Sequence, residues 1–172
     1  MMMQQPQFTV GILTVSTRAA RGEYDDLSGP LLAESLVSRT GWAISQTAVV
    51  ADDPAQIQAV LREWCTNGLS LILTNGGTGF GPYDLTPEAT RPLIEREAPG
   101  IAEALRAESL KITRHAMLSR GIAGIRGRTL IINLPGNPKA IRESVDILLP
   151  VLPHALALLN ERPDTEQQHR LV

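Results

Sequence analysis

The stretch LTNGGTGFGPYDLTPEATRP, residues 73–92, places a cluster of glycines and an aspartate directly after an apolar run. Gly76, Gly77 and Gly79 surround Thr78, and we call residues 76–79 the glycine loop. A simple turn needs only one or two glycines. Several together leave backbone N–H groups free to converge on an anion. The pattern therefore favours a phosphate-binding loop, with an ordinary turn as the alternative.

Two well-known phosphate-binding templates do not fit this loop. A P-loop requires a lysine after its last glycine, and none follows Gly79 or Gly81. A Rossmann fingerprint enters its helix directly, whereas the next helix start is delayed here until Pro87. A phosphate site is predicted, but on neither of these scaffolds.

Aspartates elsewhere supply further candidates for phosphate or metal chemistry. Asp53 is best explained as a helix cap, because Pro54 follows it directly. Asp52 has no structural use in the local sequence, which favours a functional role. Asp84 either caps the following turn, for which Thr86 competes, or is functional.

A serine and a lysine complete the set of candidates. Ser119 and Arg120, in MLSR, are equally well explained as loop residues or as site residues. Lys139, in PGNPKA, falls in the first turn of a predicted helix, where the helix dipole disfavours a cation by roughly 0.3–1 kcal/mol. A bound anion would offset this cost, which favours a ligand-binding role.

The elements that must position these residues follow from hydrophobic periodicity. Strands are predicted at 8–15, 42–50 and 69–74, because these runs are apolar and rich in β-branched residues. Helices are predicted between them, the first with Ser28 as its N-cap and the second capped by Asp53. This alternation predicts an α/β fold with a largely parallel sheet.

The second half of the chain continues the pattern with one change. Helices are predicted to begin at Thr86 and at Pro99, and two short strands to flank a turn at Gly127. A last helical region opens at Asn137 and extends to about Leu159. Such a short pair of strands adds an antiparallel portion to the sheet.

Polar residues gather where the predicted strands end. Ligands of open parallel sheets bind beyond the carboxyl ends of the strands, so these exits are expected to form the site. The exit residues are Thr14, Ser16 and Thr17 after the first strand, Asp52 and Asp53 after the second, Asn75 and the glycine loop after the third, and Asn133, Pro135, Gly136 and Asn137 after the late strand.

Composition limits the class of protein. The chain has 172 residues, 43% hydrophobic and 20% charged, with a net charge of −2, and we expect one domain over 8–160 with flexible ends at 1–7 and 161–172. No segment has the length or polarity of a membrane span or secretory signal, so a cytoplasmic location is expected, without nucleic-acid or membrane partners. The single Cys65 is expected to be a buried hydrophobe, and His115, His154 and His169 lack zinc-ligand spacing.

Three motifs, taken together and in order, resemble the molybdenum-cofactor biosynthesis family that includes bacterial and plant molybdopterin adenylyltransferases. They are LTNGGTGFGPYDLTPEAT, AMLSRGIAG and TLIINLPGNPKA, and the resemblance covers about 8–160. It implies a three-layer α/β fold with helices on both faces of a mostly parallel sheet. It also implies transfer of AMP from Mg-ATP to the terminal phosphate of molybdopterin, a homotrimer, and contact with a molybdenum insertase.

The resemblance also implies residue roles. Asp52 and Asp84 match two essential acids, which we expect to bind Mg²⁺ directly or through water, and Ser119 matches an active-site serine. The remaining matches are substrate-binding residues: Ser16, Asp26, Ser28, Gly29, Asn75, Gly76, Gly77, Thr78, Gly79, Asn133, Pro135, Gly136, Pro138 and Lys139.

One position departs from the family pattern. Many members have Ser-Asp-Arg after the first strand, whereas this chain has Ser16, Thr17 and Arg18. The missing carboxylate supports an alternative, a non-catalytic carrier or scaffold that binds molybdopterin without turnover. Retention of both Asp52 and Asp84 favours the enzyme, since a simple anion binder gains nothing from two extra carboxylates unless a metal is present.

Overall fold

The structure, a computed structural model, describes residues 8–160. The expectations for the two chain ends lie outside the described residues. The strands are β1 (Thr9–Val15), β2 (Ala43–Val50), β3 (Leu71–Asn75), β4 (Arg96–Glu97), β5 (Ala123–Arg126) and β6 (Thr129–Leu134). The helices are α1 (Thr17–Ala20), α2 (Ser28–Thr40), α3 (Pro54–Thr66), α4 (Thr86–Thr90), α5 (Pro99–Leu110), α6 (Pro138–Leu148) and α7 (Leu152–Leu159), with 3₁₀ helices at Arg91–Leu93 and Arg114–Leu118.

The strands form one sheet in the order β2-β1-β3-β6-β5-β4. The first four are parallel, while β5 pairs antiparallel with both β6 and β4. Every residue of β3 and β6 is buried, as expected for central strands covered on both faces. The predicted α/β fold with a short antiparallel portion is confirmed.

Helices cover both faces of the sheet and make two separate cores. On one face, side chains such as Ile12 and Leu73 pack with α2, α6 and α7, which contribute Leu36, Val145 and Leu156 among others. On the other face, the alternate strand residues pack with α3 and α4; they include Leu13, Ile72 and Ile131, which meet Ile57, Leu61, Trp64 and Ala89. The fold therefore has three layers, as predicted.

Several local predictions are confirmed by the helix ends. The Asp53 carboxylate accepts from the N–H groups of Ala55 at 2.8 Å and Gln56 at 3.3 Å, with Pro54 in the first turn. Asn137 caps α6 in the same way. Gly127, at φ 57°, makes the turn between β5 and β6.

The prediction that Ser28 caps α2 is wrong. Leu27 occupies the cap position, and the Asp26 carboxylate instead accepts from the N–H groups of Ser28 and Gly29, both at 3.0 Å. The Ser28 hydroxyl is already engaged, because it donates to the carbonyl of Gly136 at 2.7 Å. A carboxylate two residues earlier replaces the hydroxyl as the acceptor.

Candidate functional site at the carboxyl ends of the parallel strands

The first two positions of the glycine loop accommodate only glycine. Gly76 and Gly77 have φ values of 93° and 65°, which side chains disfavour. A Cβ at Gly76 would lie 2.3 Å from the carbonyl oxygen of Val15, and one at Gly77 would lie 2.3 Å from Oγ1 of Thr86. Close packing of this loop against the backbone of β1 and the Thr86 side chain of α4 therefore explains the first two glycines.

Thr86 locks this conformation from the start of α4. Its N–H donates to the carbonyl of Gly77 at 3.0 Å, and its hydroxyl donates to the carbonyl of Gly76 at 2.9 Å. Two loop carbonyls are thereby turned toward α4. An ordered loop, rather than a slack connection, follows β3.

The N–H groups of Gly77, Thr78 and Gly79 have no hydrogen-bond acceptor among residues 8–160. Backbone N–H groups are obligatory donors, and unpaired ones are uncommon away from water. Three in succession, on a loop whose carbonyls bond elsewhere, match an anion-binding arrangement. The phosphate-binding role of the loop stays a prediction, for which this geometry is suitable.

Asp52 is held by Thr17, the residue that departs from the family pattern. Oδ2 of Asp52 accepts from the N–H of Thr17 at 2.8 Å and from its hydroxyl at 2.7 Å, while that hydroxyl accepts from the N–H of Asp52 at 3.0 Å. Oδ1 of Asp52 has no partner within residues 8–160. The carboxylate is thus fixed by one oxygen and available through the other.

Asp84 has the same one-sided arrangement. Its Oδ2 accepts from the N–H of Gly81 at 2.8 Å, and a Cβ on Gly79 would lie only 2.9 Å from that oxygen. Oδ1 has no acceptor or donor partner among the described residues. Asp84 therefore lies against the glycine loop and presents one unengaged oxygen.

A buried polar network joins the exits of β1, β3 and β6. Oγ1 of Thr14 donates to Asp26 at 2.6 Å and accepts from the amide of Asn75 at 3.0 Å. Asn133, 3% exposed, donates from its amide to Thr74 at 3.0 Å and to Thr90 at 3.1 Å. These hydrogen bonds fix the three strand exits relative to one another.

Ser16 likewise has a local bond. Its hydroxyl caps α1 by accepting from the N–H of Ala19 at 3.3 Å, and it lies 2.7 Å from the Tyr24 hydroxyl. Ser16 is half-buried at the β1 exit. Its predicted role in substrate binding stays a prediction.

A cavity of about 480 Å³ opens between the glycine loop, α5, the 3₁₀ helix Arg114–Leu118 and α6. Its predicted lining residues are Thr78, Gly79, Ser119, Asn133, Pro135 and Lys139. Its other walls are mostly apolar, with Ala102, Leu105, Ile112, Ala116, Leu118 and Ala140. Its volume falls in the range of small-molecule sites.

The cavity brings together only part of the predicted set. Asp52, Asp84, Asp26 and Ser28 do not line it, and neither do Gly29, Asn75, Gly76, Gly77, Gly136 and Pro138. Asp84 adjoins it through Gly79. The remaining predicted residues lie along the strand exits beside the cavity, so the candidate site consists of an enclosed part and an open edge.

Sequence reasoning missed part of the cavity wall. Arg106, Ser109, Thr113 and His115 contribute its polar lining. Their segment carries no motif and has only the apolar pattern of an ordinary helix and loop. Ala102 is the one buried residue of α5, so the rest of the helix is not packed into the core and can face a cavity. This burial pattern is known only from the folded structure.

Cys65 was expected to be buried and is only partly so, and the ligand-binding role of Lys139 stays a prediction. Burial raises the pKa of the Cys65 thiol, which is half-buried, and a thiol in that state is a poor nucleophile. Lys139 lies in the first turn of α6, with its side chain 77% exposed and its ammonium 4.0 Å from a carboxylate oxygen of Glu143. Its charge is therefore largely free to meet a ligand.

Within residues 8–160, no group of three or more histidine, cysteine, aspartate or glutamate side chains could hold a metal ion. A metal that binds here would need ligands from its substrate or from water. In the same residues, no helix is both long and apolar enough to cross a bilayer.

Comparison with known proteins identifies relatives along almost the whole chain. A family profile described as "Probable molybdopterin binding domain" matches residues 11–154. The molybdopterin biosynthesis enzyme MoaB of Thermus thermophilus has 52% identity and a TM-score of 0.86, with 91% of this chain and 99% of that chain covered. A molybdopterin adenylyltransferase of Helicobacter pylori is 40% identical over 87% of this chain and 86% of its own length.

Longer relatives contain the same unit. Gephyrin of Dictyostelium discoideum is 44% identical over 97% of this chain, yet the match spans only 25% of gephyrin. The chain therefore corresponds to about a quarter of that relative's length. With the matching profile, the shared three-layer fold and the glycine loop at the strand exits, the chain belongs to the molybdopterin-binding family of molybdenum-cofactor biosynthesis proteins.

Proposed function

We propose that the protein is a molybdopterin adenylyltransferase. It transfers AMP from ATP to the terminal phosphate of molybdopterin and releases pyrophosphate. The observation that carries this proposal is the glycine loop, in which three successive N–H groups have no acceptor among residues 8–160 and lie beside a cavity of about 480 Å³. Relatives of comparable length that bear the adenylyltransferase name support the same reaction.

The chemistry explains why such a loop is needed. An oxygen of the molybdopterin phosphate attacks the α-phosphorus of ATP, and the bond to the β-phosphate breaks as pyrophosphate leaves with the electron pair. Nucleophile and target are both anionic, so the protein must hold like charges together. The N–H groups of Gly77, Thr78 and Gly79 and the Lys139 ammonium can do this. The attacking oxygen needs no general base, because it is already deprotonated at neutral pH.

Mg²⁺ fits the residues present. Asp52 and Asp84 each use one carboxylate oxygen internally and leave the other unengaged among the described residues. Mg²⁺ characteristically binds one or two protein carboxylates and completes its shell with phosphates and water. When bound, the ion would neutralise phosphate charge. We propose that Asp52 and Asp84 hold it, directly or through water.

The other predicted residues take supporting roles in this proposal. Ser119, in the cavity wall, would donate to a phosphate or pterin oxygen. Gly76, Pro135 and Pro138 would shape the entrance, and the network of Asp26, Ser28, Gly29, Asn75, Asn133 and Gly136 would hold the exits in place. Ser16 would contribute from the β1 edge.

The main argument for a non-catalytic carrier was the replacement of the usual aspartate by Thr17, and the contacts of Thr17 weaken that argument. The departure from the usual aspartate raised the possibility of a damaged site, but Thr17 forms a reciprocal pair with Asp52. This arrangement keeps the carboxylate fixed without adding a second negative charge beside it.

A direct assay tests the enzyme. The protein is mixed with molybdopterin and Mg-ATP, and adenylylated molybdopterin and pyrophosphate are measured. Product in a one-to-one ratio is expected. Binding of molybdopterin by calorimetry without any product, under conditions where a known relative turns over, would instead support the carrier.

Further proposals concern the setting of this activity. Residues 8–160 would act as one molybdopterin-binding domain, in the cytoplasm where ATP is supplied. The exposed apolar side chains of Leu27 and Met117, each more than 60% exposed, support self-association, and we propose a homotrimer that light scattering would test. Transfer of the adenylylated product to a molybdenum insertase would favour a contact between the two proteins, and co-purification would test it.

A further inference from the structure

Arg120 joins the serine of the cavity wall to the glycine loop. Its Nε donates to the carbonyl of Gly79 at 2.8 Å, and its Nη2 donates to the carbonyl of Asp84. Its Nη1 donates to the Glu88 carboxylate, and its backbone N–H donates to the carbonyl of Thr78 at 2.9 Å. One side chain thus bonds to three points that are distant from it in sequence.

The backbone segment 79–84 depends on these bonds for its position. Phe80 and Tyr83, which could have anchored it by packing, are 69% and 75% exposed. Its internal hydrogen bonds connect only Gly81 with Asp84. Because Arg120 bonds to the first and last carbonyls of the segment, it fixes both ends against the rest of the protein.

The same bonds set the electrostatics of the loop. A carbonyl oxygen that faces a bound anion repels it, whereas an N–H attracts it. Arg120 donates to the carbonyl of Gly79, and Thr86 donates to the carbonyls of Gly76 and Gly77. Loop carbonyls are thereby directed to protein donors, and the N–H groups of residues 77–79 have no acceptor in the part of the chain that the structure describes.

Arg120 is itself held firmly in place. Arg106 of α5 donates from Nη1 to the carbonyls of Ser119 at 3.4 Å and Gly121 at 2.9 Å, on either side of Arg120. Glu88 of α4 pairs with the guanidinium. A planar guanidinium forms such multiple bonds in fixed directions, which a lysine ammonium cannot reproduce.

We propose that Arg120 is a positioning residue, which fixes the Asp84 carboxylate and the N–H groups of the glycine loop relative to Ser119. This inference rests on the proposed adenylyl transfer for its kinetic consequences, but its structural content is independent of that reaction. Arg120 makes no contact with substrate in this role.

The test compares Arg120→Lys and Arg120→Ala with wild type. Arg39→Ala is the matched control, because it removes an arginine from a surface ion pair with Asp146 on the α2 and α6 face. For each protein, kcat, the KM for ATP, the melting temperature and amide hydrogen exchange are measured.

Both Arg120 variants are expected to lower kcat by about 100-fold, the scale of a misplacement of about 1 Å in a site. The KM for ATP is expected to change much less, and the melting temperature by a few degrees. Exchange is expected to accelerate at the hydrogen-bonded amides of this region, which are those of Gly81, Asp84 and Thr86, and not elsewhere. Arg39→Ala should behave as wild type.

Several results would overturn the inference. A wild-type kcat in Arg120→Lys would show that only the positive charge of residue 120 matters. Global unfolding of both Arg120 variants would show that Arg120 supports the stability of the whole fold rather than the position of the loop. If wild type itself forms no product, the proposed function fails, yet exchange still decides the inference. Unchanged protection of the Gly81, Asp84 and Thr86 amides in Arg120→Lys would refute it, and a local loss of that protection would support it.

Discussion

The two ends of the sheet use similar polar residues for different purposes. At the amino ends of β1, β3 and β6, Thr9 and Ser70 bond to each other through backbone and hydroxyl groups, and the Thr129 hydroxyl donates to the carbonyl of Leu69 at 2.6 Å. At the carboxyl ends, the N–H groups of the glycine loop and one oxygen each of Asp52 and Asp84 have no partner within residues 8–160.

This difference shows how a site is distinguished from structural polarity. Polar groups cost free energy when they lose water without gaining a partner, so a folded chain normally pairs them. Where one end of a sheet pairs its groups and the other leaves several unpaired beside a cavity, the unpaired set is the better candidate for ligand binding.

The largest effect is expected from Asp84→Asn. The variant keeps an oxygen that can accept from the N–H of Gly81 but removes the negative charge from the site. Adenylyl transfer should fall by at least about 100-fold, the scale of losing one electrostatic group from a preorganised site. The melting temperature should stay within a few degrees, since exposed-loop charges contribute little stability. A large loss of stability would instead identify Asp84 as a structural residue.

Gly77→Ala should damage both stability and transfer. The new Cβ would be strained at φ 65° and would lie 2.3 Å from Oγ1 of Thr86. Left-handed strain costs about 1–2 kcal/mol, and the overlap should add about 1–3 kcal/mol. Transfer per folded molecule should fall about 10-fold or more, because the N–H groups shift. Urea unfolding and initial rates measure the two effects.

Gly68→Ala is the control for this change at the opposite end. Gly68 has φ 76°, but a Cβ there would meet no atom within 4 Å. We expect only the strain cost of about 1–2 kcal/mol, with unchanged transfer. Equal loss of transfer in both variants would mean that global stability, rather than the glycine loop, limits activity.

Much of the fold was predictable because its signals are local. Apolar runs identified β1, β2, β3 and β6, and the Asp53-Pro54 pair marked the start of α3. Three short elements were missed, α1, the two-residue β4 and the 3₁₀ helix Arg114–Leu118. None is long enough to show periodicity, and β4 exists because β5 offers it hydrogen bonds.

The candidate site was predictable only in part. Its location followed from the strand exits, since parallel strands bring their carboxyl ends to one edge. The hydrogen-bond partners of the site residues did not follow from the sequence. Asp52 bonds to a residue 35 positions away, and Arg120 bonds to carbonyls 36 and 41 positions away. Every residue has a backbone carbonyl, whatever its side chain. No sequence pattern therefore indicates which carbonyls a side chain such as that of Arg120 will bind.

Thr129→Val should affect stability alone. Thr129 is 2% exposed, and valine fills nearly the same volume but leaves the carbonyl of Leu69 without its donor. Such a loss costs about 1–3 kcal/mol, or roughly 2–4 °C in melting temperature for each kcal/mol. Transfer by the folded protein should match wild type. A selective loss of activity would contradict the division of roles between the two ends.

The smallest effect concerns Glu88, whose pKa is held below its ordinary value of 4.5 mainly by the hydrogen bond from Arg120. Because the folded-state pKa is lowered, the ionised pair stabilises the fold fully above that ordinary value, and the contribution is lost as pH falls through the lowered one. Its side chain is 49% exposed, so the contribution at neutral pH should stay under about 1 kcal/mol. Glu88→Gln should therefore melt slightly below wild type at pH 7, and the difference should vanish well below pH 4.5. A difference that persists in acid would mean that packing of Glu88, rather than its charge, supports Arg120.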